Sequence, residues 1–386
     1  MTVDVASRPR RAVQRSETGL TVPLPDGTRA YFNHYWLRDN CPSSFDASTR
    51  ERSFDIFGLD RPPRPATAEV EGETLVIRWQ GEGHVSRLPL SMLQAYALGG
   101  PRRDPADQPR RAWHGDHYPS VERFAQPDLL ADPCLVLRWI EAMLRDGFTI
   151  VTDMPDSDAG LTDTASLLGV IRPTFFGPYF NVRTKINPTN TAYSAAALEL
   201  HTDVPAEEAA PGIQYLHCRA NSVAGGESLY ADGVAVANDF RAIDPEGFRL
   251  LSQTAIPFYC EHDAYDMRSR QTVIELDAAG EVEGVTLSQH MLDVIDLPQA
   301  ALDAYYPALC RFGRLLQDEK YMMRFLMKAG ECMVFDNHRI VHGRAAYEAE
   351  SGERWLRGCY TDRAEMRSTY RALLGCGRFA GGEFRA

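Results

Sequence analysis

None of the eight cysteines (Cys41, Cys134, Cys218, Cys260, Cys310, Cys332, Cys359 and Cys376) stands in a CxxC pair. That spacing suggests neither a zinc ribbon nor a disulfide framework, and reduced thiols in a cytosol are the plainer account. Long apolar runs are missing too. No stretch approaches the roughly 18 residues of a membrane-spanning helix, so no membrane partner is expected. The first nineteen residues carry an RPRR run with no apolar segment behind it, and they include Asp4 and Glu17, so they fail as a secretory or twin-arginine signal. Residues 1–19 read as a frayed, disordered tail, and a cytoplasmic location is expected. Basic charge is short as well: 41 Lys and Arg against 53 Asp and Glu give a net charge of −12. Nucleic-acid affinity depends on clustered cations displacing counterions, so no nucleic-acid partner is expected. No internal repeat or low-complexity tract is evident.

What remains is an ordinary globular composition over 386 residues, 44% hydrophobic and 24% charged. The length exceeds the roughly 250–300 residues at which one core stops growing, so one large and one smaller domain are expected. From Leu20 the runs LTVPL, TRAYF, EVEGETLVIRW and HVSRLPL are strand-like and turn-punctuated, and SMLQAYAL is helical. They define a small β-rich N-terminal domain over residues 20–99. Residues 100–126 are rich in Pro, Arg and Asp without apolar periodicity and read as a surface linker. Over residues 127–386, β-type runs (FTIVTDM, PGIQYLHC, GGESLYADG, QTVIELD, ECMVFDNHRIVHG) alternate with amphipathic helices such as DPCLVLRWIEAMLRDG and DAYYPALCRFGRLLQ. Many short strands with helices covering one side predict a mainly β fold with flanking helices. The expected catalytic domain is a double-stranded β-helix, a double-sheet barrel of jelly-roll type, rather than a doubly wound parallel sheet.

Two of the ten histidines stand out. His201 and Asp203 lie in LELHTDVPAE, where residues i and i+2 of a strand point to one face and can converge on an ion. His114 and Asp116 repeat the HxD spacing, but inside the linker, where no rigid strand aims them. FDNHRIVHGR places His342 at a strand end 141 residues after His201. Two imidazoles and one carboxylate on one face of an octahedral metal leave three positions open, the arrangement of non-haem Fe(II) oxygen chemistry; zinc would also accept these ligands. Arg354, in GERWLRGCY, can pair bidentately with a carboxylate of a co-substrate.

The ordered set HTD, PGIQYLHC, GGES, FDNHRIVHGR and Arg354, with NHYWLRDNCP near the N-terminus, resembles the 2-oxoglutarate-dependent oxygenases of the γ-butyrobetaine and trimethyllysine hydroxylase type, within the taurine dioxygenase-like superfamily. The matches span roughly residues 20–365. The resemblance implies that His201, Asp203 and His342 are the catalytic metal ligands for Fe(II). It implies that Arg354 and Ser228 hold the distal carboxylate of 2-oxoglutarate, with O2 as co-substrate and ascorbate in support. The substrate, a small molecule with a quaternary ammonium group, would lie among Phe176, Phe180, Tyr193 and Tyr360. Such a cation has no N–H to donate, so the negative faces of aromatic rings are the natural way to hold it. A homodimer is inferred from the resemblance alone.

Two departures from the family pattern matter. Where the family's N-terminal module holds a structural zinc, Cys41 and His84 remain, but Ser43 and Asp46 occupy two cysteine positions, and a neutral hydroxyl is a poor zinc ligand. A structural zinc is therefore not expected. Of the two asparagines that would grip the carboxylate of γ-butyrobetaine, Asn190 matches the first, while Gln289 followed by His290 stands at the second. The altered anion pocket favours the phosphonate of 2-(trimethylammonio)ethylphosphonate, with γ-butyrobetaine and then trimethyllysine as alternatives. The implied reaction is hydroxylation at the carbon two removed from nitrogen, yielding succinate and carbon dioxide from 2-oxoglutarate. A ligand-binding homologue without catalysis is the rival from another class.

Overall fold

The PDG turn lets Gly27 adopt a positive φ of 86°, which reverses the chain between Gly19–Pro23 and Arg29–Asn33. A second hairpin, Pro65–Glu71 with Thr74–Trp79, extends to Val85–Pro89 and completes another three-stranded antiparallel sheet. Leu20, Val22, Phe32 and Leu37 from the first segment bury against Leu75, Ile77 and Leu88 from the second, forming one apolar core. The computed structural model describes residues 12–100, 104–183 and 194–375. These elements belong to one of its two units, Met1–Asp104 with Gly375–Ala386; the other is Pro105–Leu374. Residues 1–11 of the expected tail lie outside the described residues. Its remainder is ordered: the bond from Ser16 N to Gly19 O folds Gln14–Arg15 back onto Leu20 and Thr21 as a short edge strand. In the same unit Cys41 is buried, and its Sγ lies 3.1 Å from Ser43 Oγ.

In the larger unit, six strands run in the order Arg123–Ala125, Phe148–Thr152, Cys332–Asp336, Ile213–Asn221, Arg354–Thr361 and Phe180–Val182. Four more run Leu198–His201, Ile340–Arg344, Ser228–Asp232 and Met322–Phe325. All pairings are antiparallel except that of Arg123–Ala125 with Phe148–Thr152. Period-2 alternation explains the packing. Phe148, Ile150, Leu216 and Phe335 of the larger sheet share a buried cluster with Tyr230, Met323, Phe325 and Ile340 of the smaller one. The alternate residues Tyr215, Val334 and Cys359 turn outward onto helices Pro133–Asp146 and Arg363–Leu373. Likewise Leu200, Ala231 and Val341 meet helices Gly233–Ile243, Pro245–Gln253 and Gln299–Leu316.

Two details depart from the sequence reading. Helices cover the outer faces of both sheets rather than one side. Among the described residues no strand of one sheet bonds to a strand of the other, so the sheets form a layered pair rather than a closed barrel. The run ECMVFDNHRIVHG contains two strands, Cys332–Asp336 and Ile340–Arg344, one in each sheet. Residues 105–126, read as linker, belong to the larger unit. Trp113 is buried there with its indole donating to the Asp146 carbonyl at 2.9 Å, and Arg111 pairs with Asp146 at 2.6 Å. A stretch without apolar periodicity is thus anchored by one Trp and one buried carboxylate.

Candidate metal centre and its pocket

Register brings the site together. His201 is directly opposite His342 in the antiparallel pair Leu198–His201 with Ile340–Arg344. Gly343 permits the approach, because a Cβ there would stand 2.5 Å from the Leu198 carbonyl oxygen. Asp203 follows on the exit from the strand. Its Oδ1 lies 3.2 Å from His201 Nε2 and 3.8 Å from His342 Nε2. The three ligand atoms fall within 4.8 Å of one another, and no other group of three or more metal-binding side chains occurs among the described residues.

The surroundings set each ligand's chemistry. His201 Nδ1 donates to the Glu199 carbonyl at 2.8 Å, which fixes the ring with Nε2 aimed at Asp203. Burial, then the neighbouring His201, pushes His342 down to about 3, so its imidazole is neutral at physiological pH. Burial alone would raise the Asp203 carboxyl; His342 and His201, together with the hydrogen bond from Tyr360, hold it well below the usual carboxylate range. The centre is therefore two imidazoles and one carboxylate, a donor set that suits a divalent cation.

The same pocket is lined by Phe176, Phe180 and Tyr360 and by Ser228, His290 and Arg354. Phe180 and Tyr360 stack with ring centroids 5.1 Å apart, and the Phe180 ring lies over Gly358, where a Cβ would collide with it. Arg354 is 7% exposed. Its Nε has no hydrogen-bond partner and no carboxylate pairs with it among the described residues. A buried guanidinium in that state is a standing offer to an anion. Ser228 is also buried, directly opposite Arg344 in the sheet.

Of the residues singled out from sequence, His201, Asp203, His342, Arg354, Ser228, Phe176, Phe180 and Tyr360 converge on this pocket. Asn190 and Tyr193 lie outside the described residues. Gln289 is corrected: it lines a separate cavity with Leu287, Leu292 and Leu309. The reason is the 3-10 turn Gln289–Met291, in which successive side chains diverge by roughly a third of a turn. His290 faces the pocket instead, with its ring 4.8 Å from that of His201. Enclosure of that ring, and then the adjacent His201, push it down to about 4, although the residue as a whole is open to solvent at the mouth. The hydrogen bond from Thr202 N to Leu287 O, 2.7 Å long, holds this turn beside the ligand strand. His114 stands apart, 4.0 Å from Asp239.

Sequence reasoning missed Gln214 and Asn337. Gln214 Nε2 donates to Asp203 Oδ2 at 2.6 Å; Asn337 accepts from the Asp203 N–H at 2.7 Å and donates to its carbonyl at 3.0 Å. A signal was present for Gln214, since alternation in GIQYLHC puts it on the inward face with Leu216.

Residues 116–360 match the family described as "Taurine catabolism dioxygenase TauD, TfdA family". The γ-butyrobetaine dioxygenase of Pseudomonas sp. (strain AK-1) is 32% identical over 91% of this chain and 92% of its own length. The mitochondrial trimethyllysine dioxygenase of Homo sapiens is 27% identical over 89% of this chain and 82% of its own. Among solved structures, a taurine dioxygenase from Burkholderia xenovorans is similar, with a TM-score of 0.46 and 14% identity over 60% of this chain and 82% of that one.

Proposed function

The chain belongs to the TauD/TfdA family and is a 2-oxoglutarate-dependent dioxygenase, and from that premise we propose that it hydroxylates a small trimethylammonium-alkyl acid at the carbon two removed from nitrogen. One observation carries the proposal: the His201, Asp203 and His342 ligand atoms gather within 4.8 Å in a pocket that is also lined by three aromatic rings and by a buried Arg354 with no ion pair among the described residues. We read the pair of sheets as the double-stranded β-helix of this reaction class.

The residues present fit Fe(II). The imidazoles of His201 and His342 and the carboxylate of Asp203 would hold it and leave three of six positions open. Bound there, Fe(II) with 2-oxoglutarate and oxygen supplies oxidative decarboxylation of the co-substrate to succinate and hydroxyl transfer to carbon. The protein's part is positioning. Arg354 and Ser228 anchor the far carboxylate of 2-oxoglutarate, which satisfies a guanidinium otherwise buried without a counter-charge. Phe176, Phe180 and Tyr360 hold the quaternary ammonium by their ring faces and keep water from the reacting carbon. Gripping the cation at one end and the anion at the other leaves one C–H bond facing the metal.

His290 supports the phosphonate substrate over the carboxylate one. The neutral imidazole at the mouth offers a ring N–H donor to an anionic head, and a phosphonate presents three oxygens to receive it. The deciding experiment is succinate formation with Fe(II), 2-oxoglutarate and ascorbate. 2-(Trimethylammonio)ethylphosphonate, γ-butyrobetaine and trimethyllysine are compared as separate substrates. The phosphonate should give the highest kcat/KM. A clear preference for γ-butyrobetaine would overturn the head-group assignment, and stimulation by none of the three would overturn the trimethylammonium reading.

A further inference from the structure

The carboxylate of Asp203 is engaged unequally. Its Oδ2 accepts two hydrogen bonds, from Gln214 Nε2 at 2.6 Å and from the Tyr360 hydroxyl at 2.7 Å. An sp2 oxygen has two in-plane lone pairs, so these donors fill Oδ2. Only Oδ1 remains, and it is the atom that faces both imidazoles. The backbone is fixed as firmly. Asn337 bonds the Asp203 N–H and C=O through one side chain and ties them to the Pro211 carbonyl at 3.0 Å. The next residue, Val204, is buried at φ 58°, a left-handed conformation that a β-branched residue adopts only when its surroundings impose it.

We propose that Gln214 and Tyr360 are positioning residues that restrict Asp203 to one-oxygen ligation of the metal. The proposal rests on the metal reading above. Its chemical consequence follows from counting positions. A six-coordinate ion with two imidazoles and one carboxylate oxygen keeps three sites, two for the chelating co-substrate and one for oxygen. An aspartate free to turn and chelate through both oxygens would take one of the three. Tyr360 carries a second consequence. Its ring stacks on Phe180 in the aromatic wall while its hydroxyl holds the metal ligand, so one side chain joins the substrate's cation subsite to the metal's coordination shell. Burial and the adjacent Asp203 keep that phenol protonated and available as a donor.

The test uses Gln214→Leu, Tyr360→Phe and their combination in the full chain, with Asp203→Ala as reference. Mn(II) affinity is measured by titration without turnover. The visible charge-transfer absorption of the anaerobic Fe(II) and 2-oxoglutarate complex is then measured per bound iron. Each single variant should bind Mn(II) about 10- to 100-fold more weakly. The double variant should lose absorption per bound iron, because the freed aspartate competes with the co-substrate's chelate. A purely structural role would lower metal occupancy and leave the absorption per iron unchanged. That result, or wild-type Mn(II) affinity in both single variants while Asp203→Ala binds none, overturns the proposal. Wild-type Mn(II) binding by Asp203→Ala would instead overturn the metal reading on which it rests. Tyr360→Phe removes one atom and keeps the ring, so it separates loss of the hydrogen bond from loss of packing.

Discussion

Replacing Arg354 by Met should have opposite effects on folding and on co-substrate binding. The guanidinium is 7% exposed, its Nε lacks a hydrogen-bond partner among the described residues, and its Cζ lies 5.8 Å from the centroid of the Tyr347 ring. Burial lowers its pKa below the usual arginine value, and no carboxylate opposes that effect. An unsatisfied buried polar group costs about 1–3 kcal/mol, more when charged, so an apolar side chain of similar length should stabilise the ligand-free protein by at least the lower figure. The same substitution removes the partner of the 2-oxoglutarate carboxylate. Losing one member of a buried charge pair costs about 2–5 kcal/mol, or roughly 30-fold to several-thousand-fold in Kd at 1.4 kcal/mol per decade. Thermal melting of the Mn(II)-loaded protein across a 2-oxoglutarate series reads both effects at once. The wild type should melt lower without ligand and rise with its concentration; Arg354→Met should start higher and stay flat. Arg354→Lys keeps the charge but loses the fork, and should fall between them. A variant that melts lower than wild type without ligand, yet rises normally with 2-oxoglutarate, would show that Arg354 is structural.

Two further predictions concern the pocket wall and pH. Gly358→Ala places a methyl group against the Phe180 ring and should push that ring into the substrate space. KM for the trimethylammonium substrate should then rise at least several-fold while the KM for 2-oxoglutarate holds, and equal rises in both would refute the assignment of Phe180 to the substrate end. His217 is fully buried with neither ring nitrogen hydrogen-bonded among the described residues, and burial, then Arg219, push it down to about 4. The unfolded imidazole takes up its proton near pH 6.5 and the folded one near pH 4, so the unfolded state binds more protons between them and stability falls as pH drops through that window. Urea midpoints at several pH values should show this decline in the wild type and a shallower one in His217→Leu; parallel curves would remove His217 as its cause.

Much of the centre was legible because its ligands sit where backbone periodicity is strict. His201 and Asp203 are two residues apart at a strand end, and His342 is fixed opposite His201 by pairing register. The strand runs themselves were readable from alternation, and PGIQYLHC, FTIVTDM and GGESLYADG all contain strands. Side-chain direction in irregular segments was not legible. Gln289 and His290 exchanged roles because a three-residue 3-10 turn has no periodicity to reveal which side chain faces inward. Tyr360 was read for its ring alone, and only tertiary contact reveals that its hydroxyl serves Asp203. The division of ECMVFDNHRIVHG between two sheets was hidden for a related reason. The Asp336–Arg339 turn that separates them is set by Asn337 bonding to Asp203 and Pro211, partners more than a hundred residues away.

The account's central claim is that His201, Asp203 and His342 together hold the reactive ferrous ion. Succinate released with Fe(II), 2-oxoglutarate and the preferred trimethylammonium substrate tests it most directly, with wild type, His342→Ala and His114→Ala side by side. Wild type and His114→Ala should release succinate at matching rates, and His342→Ala should release none above background. Substrate-dependent release by His342→Ala at the wild-type rate would contradict the claim.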